Sequence, residues 1–406
     1  MLIKNCRSCS GNKFKKLFSL GNLSFTGKFA KNSTINIPKA ELALVMCDDC
    51  DLVQLNNNFN LKYLYGPDYG YRTGINKTMT EHMRSVVSSV KKIANLKKKD
   101  AVLDIASNDG TLLNFYSKSL FRAGIDPTIK KFSHYYKEID SKIPDFFSEK
   151  AVRKKTKKTF KVITALSVFY DIENPNYFLS DVNKLLDDDG IFVLEQADLL
   201  SIIKLKMFDT ICHEHLEYYS HKVIIKLLKK NNLKLFDFKL NDINGGSTQY
   251  YICKDKNIKV KVQKNKIMKM LNNEKKFKLD EVKTYKKFFI EIQSVKKKLN
   301  KIIKKIKSEN KIIHGYGAST KGNVLLQYFN INKNHIDCIS DRNPKKNGFY
   351  TPNTRIKIVS ELYSRKINPD YYLVLPWHFK KEILQREKKQ NKFSKFIFPL
   401  PSLEIY

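Results

Sequence analysis

One stretch, residues 102–113 (VLDIASNDGTLL), constrains the fold of this chain more than any other. It joins a short apolar segment to a turn of small and polar residues at 106–110, and then to residues that favour the start of a helix. A strand that enters such a turn and leaves it as a helix presents backbone N–H groups to a ligand. We therefore predict a ligand-binding turn at the carboxyl end of a buried strand in a doubly wound α/β domain.

The residue types in this turn favour one kind of cofactor. The turn lacks the Gly-x-Gly-x-x-Gly pattern of dinucleotide-binding turns. Ala106 and Asn108 stand where that pattern has small residues and glycines, and Gly110 is the turn's one glycine. Carboxylates and a carboxamide instead suit a cationic ligand with polar groups, such as S-adenosylmethionine, and an acid that ends the next predicted strand would accept both ribose hydroxyls. The alternative is a domain that binds another nucleotide or none. The predicted cofactor-binding residues are Asp104, Ala106, Ser107, Asn108, Asp109, Gly110, Asp126, Pro127 and Ser167.

Length and charge bound the possible functions. The chain has 406 residues, enough for two or three domains with separate cores. A formal net charge of +36 favours a polyanionic partner, but the positive residues are mostly lysines spread through Lys- and Asn-rich sequence. An A/T-rich coding bias produces the same pattern, so we expect solvated lysines and no nucleic-acid partner. Because no apolar run approaches the ~20 residues that span a bilayer, we expect no membrane association and a cytoplasmic location. We also expect a monomer.

Four of the seven cysteines form two C-x-x-C pairs, Cys6 with Cys9 and Cys47 with Cys50. This spacing is typical of the two knuckles that close a tetrahedral Cys₄ zinc site. No histidine lies nearby to leave an open coordination position, so we predict a structural Zn²⁺. The alternative is a set of unrelated thiols.

A loop rich in tyrosine and glycine follows the second cysteine pair. It includes the run Tyr69-Gly70-Tyr71-Arg72-Thr73-Gly74. Buried tyrosines need partners for their hydroxyl groups, so this segment is not mainly core. We expect it to wall a ligand pocket, with a surface loop that caps the zinc module as the alternative. Apolar spacing over residues 76–92 then predicts a helix that leads into the central domain.

The segment His213-Glu214-His215 is unusual in a chain with only eight histidines. It does not have the H-E-x-x-H spacing of zinc hydrolases. Histidine titrates near neutral pH and a neighbouring carboxylate can orient it, so the segment is a candidate general base. The alternative is a pair of structurally hydrogen-bonded imidazoles.

The rest of the chain is predicted to contain a linker and a second α/β unit. The lysine-rich residues 259–307 have apolar positions at helical spacing, which predicts one long amphipathic linker helix. A strand then enters a glycine-rich turn at residues 315–322, and outward-facing amides with a lysine predict an anion site. The alternative is a structural glycine turn. The candidate substrate-binding residues are Gly315, Gly317, Lys321 and Asn323.

Several of these motifs occur together in one family, and the chain resembles the sugar C-methyltransferases that act on nucleotide-linked ketosugars. The resemblance covers nearly the whole chain. It rests on the two cysteine pairs, on residues 69–74, on DIASNDGTLL at 104–113, on HEHL at 213–216, on GYGASTKGN at 315–323 and on LPWH at 375–378. Where members have tyrosine before the His-Glu-His run, this chain has Cys212, and where they place histidine after the fourth strand it has Tyr170-Asp171.

The resemblance implies a function and roles for particular residues. It implies an S-adenosylmethionine-dependent methyltransferase of class EC 2.1.1 that methylates a carbon next to the ketone of the sugar. His215 becomes the expected general base, Glu214 the residue that orients it or contacts the sugar, and either Tyr69 or Tyr71 a tyrosine that approaches the substrate. His213 is a further candidate for the catalytic set.

The resemblance also predicts the organisation of an α/β chain. A zinc-binding module over residues 1–72 precedes a central Rossmann-like methyltransferase domain over 73–255, a linker over 256–308, and a smaller Rossmann-like α/β domain over 309–406. Two other functions stay open at this point. One is a zinc-ribbon RNA methyltransferase, which the charge favours, and the other is a non-catalytic nucleotide-binding protein that retains the same domains.

Overall fold

The structure is a computed structural model that describes residues 1–60, 64, 71–391 and 393–406. Over these residues the strands form three sheets, which lie in the N-terminal, central and C-terminal parts of the molecule. The predicted fold class is confirmed, with a parallel-sheet methyltransferase domain between a cysteine-rich module and a second α/β unit.

The N-terminal sheet is antiparallel and borrows one strand from the central part of the chain. Val53 pairs with Tyr218, so the loop that carries His213 and His215 is held directly against this sheet. The strand order is β1-β2-β3-β9, formed by β1 (Phe14–Ser24), β2 (Lys39–Cys47), β3 (Val53–Leu55) and β9 (Glu217–Tyr218).

The central sheet has the order β10-β11-β8-β7-β4-β5-β6. Its strands from β8 to β6 are parallel, and the hairpin of β10 and β11 adds an antiparallel edge. All five residues of β4 are buried, as expected for an apolar strand in the middle of a covered parallel sheet. The strands are β4 (Ala101–Ile105), β5 (Phe121–Ile125), β6 (Ser141–Ile143), β7 (Phe160–Leu166), β8 (Leu186–Ala197), β10 (Leu233–Asn241) and β11 (Ser247–Lys254).

Helices cover both faces of the central sheet. The first of them begins where Asn76 Oδ1 accepts a hydrogen bond from the Met79 amide at 3.3 Å, a standard N-cap. The helices are α1 (Lys77–Ala94), α2 (Ile129–Phe132), α3 (Glu149–Arg153), α4 (Pro175–Leu185), α5 (Leu199–Lys204) and α6 (His221–Lys230).

The predicted helix after the turn at 106–110 was wrong. Only a short 3₁₀ segment, Leu113–Phe115, follows the turn. Asp109 Oδ1 accepts the amide and the hydroxyl of Thr111 at 3.2 and 2.5 Å, and the chain continues through the 3₁₀ segment to β5 at Phe121.

The predicted single linker helix is also wrong, because two helices occupy this segment. They are α7 (Lys264–Lys276) and α8 (Val282–Ser308). The break is stabilised by Thr284 Oγ1, which donates to the carbonyl of Lys278 at 2.8 Å. In the part of the chain that the structure describes, no helix combines the length and the apolar character that crossing a membrane requires.

The C-terminal sheet has the order β14-β13-β12-β15-β16-β17 and is parallel except for β17. It is covered by α9 (Thr320–Phe329), α10 (Glu361–Ile367) and α11 (Lys380–Glu387). The strands are β12 (Ile313–Tyr316), β13 (Cys338–Asp341), β14 (Ile358–Ser360), β15 (Tyr371–Val374), β16 (Lys395–Phe398) and β17 (Glu404–Ile405).

Buried contacts join the C-terminal domain to the rest of the chain. Phe208 stacks on Phe329 with ring centroids 4.9 Å apart, and the Trp377 indole N–H donates to Asp209 Oδ2 at 2.8 Å. This packing brings the carboxyl ends of central and C-terminal strands to opposite sides of one cleft, which is where open α/β sheets bind ligands.

Candidate active site

A cavity of about 380 Å³ occupies this cleft. One side is formed by residues that follow β4, β5 and β7, and the other by residues that follow β12 and β15. A loop between α5 and β9 closes it from the N-terminal side. The lining residues used below are Met79, Met83, Ala106, Asn108, Asp126, Pro127, Ser167, Tyr170, Thr210, Glu214, His215, Asn244, Ser319, Lys321, Pro376, His378 and Phe379, together with Tyr71.

The central-domain side of the cavity has the features of a nucleoside site. Asp126 directly follows β5, and its Oδ2 accepts the Asn108 amide at 2.9 Å while Oδ1 accepts the Thr128 amide at 2.6 Å. The Thr128 hydroxyl also donates to Oδ1, at 2.5 Å, so these bonds orient the carboxylate and leave the second lone pair of Oδ2 for a ligand hydroxyl. Burial raises the pKa of Asp126, because the carboxylate loses hydration at the position where it can bind a ribose.

Two strands end at the cavity in a strained conformation. Ala106 follows β4 with φ of +56°, and Ser167 follows β7 with φ of +57°. Left-handed backbone in non-glycine residues costs of order 1 kcal/mol or more and concentrates at functional sites. Here it directs both residues into the cavity wall.

Other predicted cofactor residues support this wall without lining it. Asp104 accepts the Thr164 hydroxyl at 2.5 Å, and burial raises its pKa to about 7. Asp109 Oδ2 accepts the Gly74 amide at 3.0 Å, which ties the turn to the segment that carries Tyr71. Ser107 bonds the Tyr136 hydroxyl at 2.8 Å, and this ring packs over Gly110, where a Cβ would lie 3.0 Å from it.

His215 has the geometry of a general base. Its Nδ1–H donates to the Thr210 carbonyl at 2.8 Å, so the neutral ring carries its proton on Nδ1 and leaves Nε2 as an acceptor. Nε2 has no hydrogen-bond partner in the described chain, and the ring lines the cavity. Burial and the positive charge of Lys321 lower the pKa of His215 to about 3, so the base is unprotonated at neutral pH.

The remaining predicted catalytic residues separate into two groups. Glu214 lines the cavity, accepts the Thr26 hydroxyl at 3.4 Å, and has its pKa raised by burial. Tyr71 also lines the cavity and is 49% exposed at its mouth. Tyr69 lies outside the described residues.

His213 is not brought to the cavity. It is fully buried between the rings of Phe25 and Phe59, with centroids 4.6 and 5.0 Å away, and its Nε2–H donates to the Ala40 carbonyl at 3.2 Å. Burial lowers its pKa to about 4. Its surroundings are those of a packing residue that fixes the loop on the N-terminal module.

The glycine-rich turn of the C-terminal domain does not form the predicted anion cradle. The amides of Gly317 and Ala318 donate to Ser340 O at 2.7 Å and to Asp341 Oδ2 at 2.8 Å, so protein acceptors already occupy them. Gly315 lies within β12 against Ile339. Asn323 is buried and donates to the Thr26 carbonyl at 2.7 Å, which makes it a link between domains.

The fourth predicted substrate residue, Lys321, does reach the cavity. Its Nζ donates to the Asn244 carbonyl at 3.0 Å, and Asn244 Nδ2 in turn donates to Ser167 Oγ at 3.4 Å. Burial lowers the pKa of Lys321, while the negative charge of Asp209 acts in the opposite direction.

Two cavity residues were noted in the sequence but were given no role in the site. His378 lines the cavity, its buried Nδ1 has no partner in the described structure, and burial with the Lys321 charge lowers its pKa well below the usual range. The ring of Tyr170 packs against that of His215 with centroids 4.3 Å apart and planes tilted by 54°. A signal for His378 existed, because the Leu-Pro-Trp-His segment follows β15 at the carboxyl edge of the sheet.

The four cysteines meet as predicted, in a cluster whose Sγ atoms all lie within 4.8 Å of one another. The Cys6–Cys50 and Cys9–Cys47 sulfur distances are 3.6 and 3.5 Å. Four thiolates around a tetrahedral Zn²⁺ at ~2.3 Å lie about 3.8 Å apart, so this cluster fits the metal. It lies in the N-terminal module, away from the cavity.

Three family models match successive parts of the chain. A zinc binding domain matches residues 6–65, a methyltransferase domain residues 77–237, and a C-methyltransferase C-terminal domain residues 242–401. The chain belongs to the family of S-adenosylmethionine-dependent C-methyltransferases that combine these domains. C-methyltransferase NovU of Streptomyces niveus is 26% identical to it over 412 residues, which cover 99% of this chain and 97% of NovU.

Solved methyltransferase structures are similar over less than half of the chain. The plantazolicin methyltransferase BamL has a TM-score of 0.35 and 12% identity, over 44% of this chain and 87% of BamL. Magnesium protoporphyrin IX methyltransferase of Synechocystis PCC 6803 has a TM-score of 0.34 and 15% identity, over 48% of this chain and 92% of that enzyme.

Proposed function

We propose that this chain transfers a methyl group to a carbon next to the ketone of a nucleotide-linked ketosugar. One observation carries the proposal: His215 presents an unprotonated Nε2 to the cavity that Ala106, Asp126 and Ser167 line. A carbon acceptor needs a base, because a C–H bond beside a ketone must lose its proton before the carbon becomes nucleophilic. An alcohol or amine acceptor makes weaker demands on such a residue.

The residues of the chain divide the work of this reaction. Asp126, with Ala106 and Ser167, would hold the nucleoside of S-adenosylmethionine, which when bound supplies an electrophilic methyl group. His215 accepts the proton at Nε2, and its Nδ1–H bond to the Thr210 carbonyl stabilises the imidazolium that forms. The electron pair released from the C–H bond would form the new C–C bond to the methyl group as the methyl–sulfur bond breaks, and that bond's electron pair would stay on the sulfur of the departing S-adenosylhomocysteine.

Neighbouring side chains exclude water and orient the sugar. Met79 and Met83 of α1 form an apolar part of the wall. Glu214 is held by Thr26 of the N-terminal module and is placed to accept a sugar hydroxyl or a proton. Tyr71 stands at the mouth, where its hydroxyl can contact substrate.

A second cavity of about 180 Å³ adjoins the first and suits the nucleotide part of the substrate. The two cavities share five lining residues, Tyr71, Asn76, Ser319, Pro376 and Phe379. The second one is lined by four cationic side chains, Arg72, Arg342, Lys346 and Arg386, against the carboxylates of Asp341, Glu361 and Glu382. A diphosphate placed here would leave the sugar in the first cavity.

The proposal is tested by turnover of labelled S-adenosylmethionine with a panel of dTDP- and UDP-linked ketosugars. We expect transfer to at least one 4-keto-6-deoxysugar nucleotide and a loss of 10²–10⁴-fold in His215→Ala, with binding of S-adenosylhomocysteine unchanged. The same assay includes short RNA duplexes and hairpins. Transfer to RNA and to no ketosugar, or full activity of His215→Ala, would contradict the proposal.

A further inference from the structure

The proposed reaction creates a negative charge that the residues named so far do not stabilise. When the proton leaves the carbon, the electron pair shifts toward the ketone and the charge concentrates on its oxygen. Enzymes that form such oxyanions place a hydrogen-bond donor or cation at that oxygen, and this is often the largest single contribution to the rate. The cavity should therefore contain such a group within reach of the substrate that faces His215.

Lys321 is the one lysine or arginine among the described residues that line the first cavity. Lys321 is the second residue of α9 in the C-terminal domain, and it lines the cavity together with His215. Its Nζ has three protons, and a single hydrogen bond, to Asn244 O at 3.0 Å, is formed in the described structure. Two protons are therefore left for a ligand.

Lys321, His215 and His378 line the same cavity, and their charges interact. The positive charge of Lys321 lowers the pKa of His215 and also that of His378, so all three side chains lie in one field. Asp209, which accepts the Trp377 indole N–H, partly balances the lysine from behind. A cation beside two neutral imidazoles disfavours a protonated base in the free enzyme and favours an anion between them.

A diphosphate meets more cationic side chains in the second cavity, where each of the four pairs with a carboxylate that a phosphate would displace. The amides that would join Lys321 in an anion cradle already donate to protein acceptors, and the four cationic side chains of the second cavity lie beyond Ser319 and Pro376. A phosphate next to Lys321 would instead occupy the space that the sugar needs to reach His215.

We propose that Lys321 is a catalytic residue that donates a hydrogen bond to the ketone oxygen of the substrate and stabilises the enolate. The inference rests on the proposed function. His215 Nε2 takes the proton, the C–H pair becomes the C=C bond, and the carbonyl π pair moves to the oxygen that Lys321 binds. When the C–C bond to the methyl group forms, the methyl–sulfur bond would break with its electron pair left on the sulfur of S-adenosylhomocysteine. The carbonyl is then restored, and the proton leaves His215 for solvent.

The contact to Asn244 also gives Lys321 a fixed position. Asn244 bonds both the lysine and Ser167, and Ser167 lies on the cofactor side of the cavity. Lys321 is thus linked through Asn244 to the wall that would hold S-adenosylmethionine. This link fixes the position of the Lys321 ammonium group relative to the cofactor site across the domain boundary.

The test separates enolate formation from methyl transfer. Wild-type chain, Lys321→Met and Lys321→Arg are incubated in D₂O with S-adenosylhomocysteine and with dTDP- or UDP-4-keto-6-deoxyglucose, and exchange of the hydrogen next to the ketone is followed by NMR. Lys297→Met, on the exposed face of α8, is the matched control. We expect a 10²–10³-fold loss of exchange in Lys321→Met, partial recovery in Lys321→Arg and no change in the control.

A second measurement separates this role from phosphate binding. Calorimetric binding of dTDP and UDP, which carry the diphosphate but no ketone, should differ less than threefold between wild type and Lys321→Met. Exchange at the wild-type rate in Lys321→Met, or a tenfold or greater loss of nucleoside diphosphate binding, would overturn the assignment. Lys321→Arg exchanging no faster than Lys321→Met would also overturn it. Binding of S-adenosylhomocysteine reports folding of each variant, and absence of exchange in the wild type would instead refute the proposed function.

Discussion

The two histidines of the loop between α5 and β9 should respond to the same substitution in different ways. His213→Ala removes a ring that is fully buried between Phe25 and Phe59 and bonded to the Ala40 carbonyl. A cavity of this size in an aromatic cluster costs about 3 kcal/mol at pH 7. His215→Ala removes a partly exposed ring at a cavity wall and should cost less than about 1 kcal/mol.

The pH dependence of the His213 contribution can be worked out from its pKa. Burial lowers this pKa from 6.5 to about 4, so between these values the unfolded chain binds a proton that the folded chain does not. Stability from this residue is therefore fully present above pH 6.5 and is lost as the pH falls. At pH 5, one and a half pH units below the unfolded value, the loss is about 2 kcal/mol.

Urea unfolding followed by circular dichroism checks both numbers. The difference in unfolding free energy between wild type and His213→Ala should fall from about 3 kcal/mol at pH 7 to about 1 kcal/mol at pH 5. Methyl transfer by folded His213→Ala should stay within tenfold of wild type, whereas His215→Ala keeps its stability and loses the reaction. A stability difference that does not change with pH, or loss of chemistry in His213→Ala with unchanged stability, would refute the reasoning.

Three further substitutions test other parts of the site. Gly27→Ala places a Cβ against Glu214 Oε1, so methyl transfer should fall at least tenfold while cofactor binding is unchanged; loss of cofactor binding instead would contradict the placement of Glu214. Asp126→Asn weakens charge-assisted hydrogen bonds worth ~1.5–3 kcal/mol, so calorimetry should show 10–100-fold weaker binding of S-adenosylhomocysteine, and unchanged affinity would refute its role. Cys47→Ser should lose one bound zinc per chain by metal analysis, whereas Cys253→Ser, buried outside the cluster, should retain it; metal retained by Cys47→Ser would contradict the Cys₄ site.

The local parts of the fold were predictable because their signals lie in short stretches of sequence. The run at 102–105 is confirmed as a buried strand, and Asp126 directly follows the parallel strand beside it. The cysteine spacing led directly to a cluster that the structure forms. In each case the residues that carry the signal are neighbours in the chain or belong to one supersecondary unit.

What the sequence could not supply depends on contacts between distant segments. Nothing near His213 distinguishes it from His215, and only the packing of Phe25 and Phe59 against it does so. The glycine turn at 315–322 has the composition of an anion site, but acceptors on β13 use its amides. His378 reaches the cavity only because the C-terminal domain packs on Asp209.

The central claim is that the acceptor atom is a carbon activated by its neighbouring ketone. The most direct measurement uses S-adenosylmethionine labelled with ¹³C in its methyl group and NMR of the product formed from a 4-keto-6-deoxysugar nucleotide. The account predicts a labelled methyl signal coupled to a ring carbon adjacent to the carbonyl, with the hydrogen of that carbon released to solvent. A labelled methyl on oxygen or nitrogen would contradict it.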